Sequence, residues 1–286
     1  MTATNAPSRN RSATVPDSVR LGFGRLVRSE WIKLRSIRST WWCYAILVAV
    51  TIGMALLVGS ALDPGGPLTQ DQANGTLVTI NTASVSLTAL VVAVLGVLII
   101  TGEYGTGQIR STFTADPGRI GVVVAKAAVL AVTTFVVSAV ALWIGVAISA
   151  ALQAGKGVHA DLADPSVFMP LLGASVYVTL LALLAYGFGL LVRSSAGGIA
   201  ITLGLLLVLP GVLSLAAGVI NAQWLSDVVT FLPAQAGGQL FAFSTGADAP
   251  QQAGVVLDGW GGFAVLLAEV VVVGAFALTV VRRRDV

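Results

Sequence analysis

Residues 101–126, TGEYGTGQIRSTFTADPGRIGVVVAK, form a polar, basic interval set between two long apolar runs. The interval carries Arg110, Arg119 and Lys126 against only Glu103 and Asp116, a charge bias that puts it on the cytoplasmic side of a membrane. Gly105 and Gly107 loosen the exit from the preceding helix. Ile109 and Phe113, four residues apart, then share one face of a short helix over Gln108–Ala115, with Arg110 beside them. Pro117 excludes Asp116 from the helical region and ends the turn. Connections between packed helices usually run about two to eight residues. This one is longer and has its own helix, which reads as a docking surface.

The rest of the chain fits that placement. A chain of 286 residues that is 56% hydrophobic and 10% charged, with a mean hydropathy of +0.90, is too apolar for a soluble domain of this size. The pI near 9.4 is no nucleic-acid signature, because the basic residues are sorted by membrane side rather than gathered in one patch. Of the 16 Lys and Arg residues only Lys156 falls in an external segment, whereas Asp63, Asp71, Asp161, Asp164, Asp227, Asp248 and Asp258 are all external. Both termini are therefore expected in the cytoplasm.

The expected architecture is an all-α membrane protein with six transmembrane helices. Residues 1–18 are rich in Ser, Thr, Asn and Pro and read as a disordered cytoplasmic tail rather than a signal peptide. Residues 19–40 read as an amphipathic helix in the membrane interface, with Phe23, Leu26, Val27, Trp31, Leu34 and Ile37 on one face and four arginines beside it. Glu30 projects from the middle of the apolar face, where an unpaired carboxylate is costly, so it requires a cationic or hydrogen-bonding partner. The transmembrane domain occupies 41–286, with spans at 41–62, 79–100, 121–152, 169–192, 196–220 and 259–281. Asp63 to Val78 is expected to be an external turn, and Pro210 to kink the fifth span. Residues 228–241, within the external stretch 221–258, are too short and broken to span but too apolar for a free loop, and a re-entrant hairpin fits them.

Polar residues within the spans are sparse. Asn81, Ser84 and Thr88 form one stripe, either bonded to neighbouring helices or lining a substrate path, with the first reading favoured. Ala141, Gly145 and Ser149 recur every four residues and would admit another helix closely. Glu269 is the one acid deep in a span, about 18 Å from the terminal arginines. An ionised carboxylate there costs about 2.5 to 3.5 kcal/mol on insertion scales, so it either contacts a substrate or proton or is held by a neighbouring hydroxyl, the latter weighted somewhat higher. Cys43 is a buried thiol with no partner for a disulfide, and His159 alone makes no metal site.

Two segments carry a family resemblance. Glu103-Tyr-Gly-x-Gly-x-Ile-Arg-Ser-Thr112, followed by Pro117, Arg119 and then Lys126 at the opening of the next apolar helix, resembles the intracellular loop of ABC-2 type ABC transporter permeases. Ser29-Glu-Trp-x-Lys-Leu-Arg35 resembles the connecting helix that precedes their first span. The resemblance implies that the loop 101–120 is a coupling helix resting in a groove of a separate P-loop ATPase, through Glu103, Tyr104, Gly105, Gly107, Ile109, Arg110, Phe113 and Arg119. It likewise implies connecting-helix roles for Glu30, Trp31, Lys33 and Arg35, and Arg110 is the first choice as partner for Glu30. ATP and Mg would be bound by the partner and no cofactor by this chain. The family also implies export, a second permease copy or homologue, and a re-entrant element between the last two spans. The near match of Gly105, Gly107 and Arg110 to a dinucleotide loop fails, for no strand precedes it and the third glycine is missing.

No P-loop, metal-ligand set or serine with a histidine base is present in the sequence, so enzymatic chemistry is not expected. The expected function is the permease subunit of an ATP-driven exporter, embedded in membrane lipid and binding no nucleic acid. The alternatives are a gradient-driven secondary carrier, which would show internal repeats and coupled intramembrane charges, and a non-transporting scaffold or immunity subunit. Low lysine with abundant Ala, Val, Gly and Arg points to a GC-rich bacterial genome and a plasma-membrane location.

Overall fold

The structure is a computed structural model that describes residues 22–63, 65–66, 68–115, 119–243 and 254–283. The expected tail at 1–18, Asp116, Pro117 and the side chain of Phe113 lie outside the described residues. Helices account for nearly all of the rest, and no strand occurs among the described residues. Among the described residues six helical stretches are long and apolar enough to cross a membrane.

Helix α1 (Phe23–Ser36) stops at Ile37, which takes an extended conformation, and α2 (Arg38–Ala61) starts directly after it. The expected single helix to residue 40 is thus two. The indole nitrogen of Trp41 donates to the carbonyl of Arg35 at 2.8 Å, satisfying one of the carbonyls that the end of α1 leaves open. The buried face of α1 is also narrower than its periodicity implies. Leu34 and Glu30 are buried, whereas Phe23, Trp31 and Ile32 face outward. Periodicity merges two apolar surfaces, one for the bundle and one for the lipid interface.

The second span starts far earlier than residue 79. Helix α3 (Gln70–Thr82) occupies most of the expected external turn and continues, after a break at Ala83 and Ser84, into α4 (Val85–Gly105). A capping box starts it: the Thr69 side chain accepts from the Gln72 amide, and the Gln72 side chain accepts from the Thr69 amide at 3.0 Å. Its polarity is what makes this helix resemble a loop in the sequence. Its Asn74 and Asn81 point inward and are buried.

Helix α5 (Gln108–Ala115) follows a turn in which Gly107 has φ of +72°, a backbone conformation that glycine adopts without strain. Helix α6 (Ile120–Ala154) has 35 residues, about 52 Å at 1.5 Å per residue, against a hydrocarbon core of about 30 Å. It therefore projects beyond the apolar layer. Its stripe of small residues lies against α2 and α3, where a Cβ on Gly145 would come within 3.1 Å of both Ala55 and the Asn81 side chain.

Helix α7 (Pro165–Val192) also starts earlier than expected, because Asp164 caps it by accepting from the Ser166 amide at 2.8 Å and Pro165 fills the first position. With α4 it forms the enclosed centre of the bundle, and α2, the fifth span and α12 surround that pair. The fifth span is α8 (Ser195–Leu203), a π turn at Gly204–Val208 and α9 (Leu209–Ile220). The irregularity lies in the turn before Pro210, which has no amide hydrogen to donate and whose ring crowds the preceding carbonyls. Two short helices, α10 (Gln223–Thr230) and α11 (Pro233–Gly238), then lead to a 3₁₀ turn and α12 (Gly259–Arg283). Gly237 lies against the Tyr177 ring and Gly262 against the Ala236 carbonyl, so α11 is wedged between α7 and α12.

Candidate functional site

At the basic end of the bundle, four charged side chains from three helices close on one another. Glu30 and Lys33 lie one turn apart on α1, Glu103 is in the last turns of α4, and Lys126 is in the second turn of α6. Lys126 forms ion pairs with Glu30 and, at 2.8 Å, with Glu103. Lys33 reaches the same two carboxylates at 2.9 and 3.1 Å, and its ammonium lies 3.4 Å from the Thr112 hydroxyl of α5. The group is formally neutral. Glu30, Glu103 and Lys126 are only 4 to 6% exposed at their side chains, and Lys33 is 25% exposed.

Burial pulls the Lys33 ammonium toward its neutral form, but the hydrogen bond to Glu30 and the charges of both carboxylates outweigh it, so its pKa lies above the usual lysine value. Lys33 is held charged. Buried ions are tolerated where each has an opposite charge and further hydrogen bonds, and both lysines here have two carboxylate partners. From α7, the Tyr186 hydroxyl donates to the Val123 carbonyl at 3.0 Å, fixing the first turn of α6 beside the cluster.

The cluster corrects one expectation. Glu30 pairs with Lys33 and Lys126 and not with Arg110, whose side chain is exposed on the outer side of α5. The geometry of α5 explains this, because Ile109 turns inward and is 3% exposed, which sends its neighbour Arg110 away. Gln108, Arg110, Ser111 and Thr114 together form a polar outward face. Gly105 and Gly107 flank the turn before it. The Arg193 guanidinium stacks over the Tyr104 ring at 5.2 Å, and Arg119, at φ of +58°, donates to the Val281 carbonyl at 3.4 Å. On α1, Trp31 and Arg35 point out of the cluster and line an open apolar groove with α2 and α6.

The other candidates are elsewhere. Asn81, Ser84 and Thr88 are 2, 1 and 3% exposed, and Asn81 donates to the Leu77 carbonyl at 2.9 Å and to the Ser149 hydroxyl at 2.8 Å. Thr88 donates to the Val85 carbonyl. Of the three, only Asn81 bonds to another helix, and the Ser84 hydroxyl is enclosed without a hydrogen-bond partner among the described residues; Glu269 lies elsewhere, on α12 against α7 and α11. Asn81→Ala and Ser149→Ala are each expected to lower the unfolding free energy of the purified chain by about 0.6 to 1.7 kcal/mol, and the double variant by little more than one alone. Fully additive losses in denaturation would show that the bond contributes nothing.

A family model described as ABC-2 family transporter protein matches residues 26–220. The chain belongs to that family. No match to a curated protein was found. The matched stretch of the ABC-2 permease runs from within α1 to the end of α9 and includes all four charges of the cluster. The permease is a multi-pass transporter membrane component, and family membership implies association with an ATPase component. No group of residues able to hold a metal ion occurs among the described residues. The part of the site that sequence reasoning misses is the pairing role of Lys126. A lysine in the second turn of an otherwise apolar helix requires a buried acid nearby, and that signal is present in the sequence.

Proposed function

We propose that this permease is the membrane half of an ATP-driven exporter in a bacterial plasma membrane, with both termini cytoplasmic and a separate P-loop ATPase docked on α5. The partner holds ATP and Mg. The observation that carries this reading is the buried charge cluster. It joins α1, α4 and α6 and touches α5 through Thr112, while the polar face of α5 remains outward. A short helix that packs against α4 and touches the cluster through Thr112 transmits a push, whereas a helix on a slack loop would absorb it. Closure of the ATPase would displace α5, and the cluster would pass that displacement into the spans as a rigid-body shift.

Six spans form half of a pathway, so a second copy or homologue completes it. Arg110→Glu tests the docking role. Its side chain is exposed, so membrane insertion and monodisperse elution should be unchanged, while the co-purified ATPase should fall about tenfold or more. Wild-type amounts of ATPase bound to that variant would overturn the reading.

A further inference from the structure

A cavity of about 460 Å³ opens between α7, the π turn, the start of α11 and α12, and none of the four cluster residues lines it. Its volume lies within the range of small-molecule sites, which are mostly apolar and hold a few oriented polar groups. Phe188, Leu205, Phe231, Pro233 and Val272 contribute to the wall, and Glu269 is the one ionisable residue in it. Oε2 of Glu269 is enclosed and has no hydrogen-bond partner among the described residues. The hydroxyl-bearing neighbour expected to hold this carboxylate is therefore not found there. Leu205 comes from the π turn, an irregularity that recurs at functional sites.

Three features of the wall select the ligand. A carboxylate at membrane depth attracts a positive charge and repels an anion. Phe188 and Phe231 stand in the same wall, and aromatic rings attract cations at their faces. The remaining wall is aliphatic and suits an apolar body. A metal ion is a poor occupant, because hard cations gather several oxygen ligands and the cavity offers one carboxylate. A proton alone would neutralise Glu269 but would use neither the rings nor the volume.

We propose that this cavity binds a hydrophobic organic cation, with its charge against Glu269 and its apolar body along α7 and α12, and that such cations are the substrate class. The binding claim is independent of the ATPase, and the substrate claim rests on the reading of the chain as a driven permease.

The test uses the full-length chain in nanodiscs without ATPase or nucleotide. Tetraphenylphosphonium and tetraphenylborate have nearly the same shape and opposite charge, and binding of each is measured against empty discs. Wild type should bind the phosphonium in a saturable manner and show no saturable binding of the borate. Glu269→Gln should weaken phosphonium binding about tenfold or more. The charge selectivity is read on the wild-type chain, so it holds even if the variant folds poorly. Equal binding of the two ions by wild type, no saturable phosphonium binding, or full phosphonium affinity in a well-folded Glu269→Gln would each overturn the proposal. None of these results would alter the ATPase yield of Arg110→Glu, so the two readings fail separately.

Discussion

Lys126→Met is expected to destabilise the permease by about 3 to 5 kcal/mol, the cost of leaving one uncompensated negative charge on two buried carboxylates that then share a single lysine. The substitution keeps the length and apolar stem of the side chain, so the loss is electrostatic rather than a matter of volume. Glu30 loses one of its two ammonium partners, and Glu103 is left with Lys33, its longer contact, at 3.1 Å. Lys33→Met should cost less, because Lys33 is 25% exposed at its side chain and water can reach part of the vacated space. Adding Glu30→Gln to Lys126→Met removes one of the two carboxylates left sharing Lys33 and should restore part of the loss. The check is thermal unfolding of the purified chain, followed by the fraction eluting as a monodisperse peak. If Lys126→Met unfolds at the wild-type temperature, the cluster does not hold α1 and α4 to α6.

That cluster also marks the limit of what one sequence can tell. The short helix over Gln108–Ala115 is legible because glycines precede it, a proline follows it and its apolar residues repeat at helical spacing. The spans are legible because an apolar run of about 20 residues is long enough to cross the hydrocarbon layer and too long for the core of a chain this size. The need of Glu30 for a cation is legible too, since it lies on an apolar helical face. Its partner is not, because the choice among Arg110, Arg119 and Lys126 depends on how far α6 rises beyond the apolar layer and how α5 is rotated. Those are tertiary quantities. The start of α3 fails differently, because Thr69 and Gln72 have the spacing of a capping box but the prolines and glycines just before them signal a turn more strongly. The role of Glu269 depends on the cavity around it, which is assembled from a π turn and a hairpin that periodicity cannot position.

The second large effect is expected where α4 crosses α7 at the centre of the bundle. A Cβ on Gly96 would lie 2.2 Å from the carbonyl oxygen of Ala182 and 3.2 Å from the amide nitrogen of Tyr186. Both are backbone atoms of a helix enclosed on most sides, so no side chain can rotate to make room. One of the two helices must shift. Gly96→Ala is therefore expected to cost about 3 kcal/mol, at the upper end of overpacking losses, although alanine is the better helix former. Gly102 provides the control six residues along the same helix. Nothing lies within 4 Å of a Cβ there, so Gly102→Ala should gain about 0.5 to 1 kcal/mol from helix propensity alone. Opposite signs for the two substitutions in denaturant unfolding would confirm that the α4 and α7 backbones touch at Gly96. A neutral or stabilising Gly96→Ala would mean that the helices stand further apart, and that the shift proposed to start at α5 would have no rigid centre to travel through.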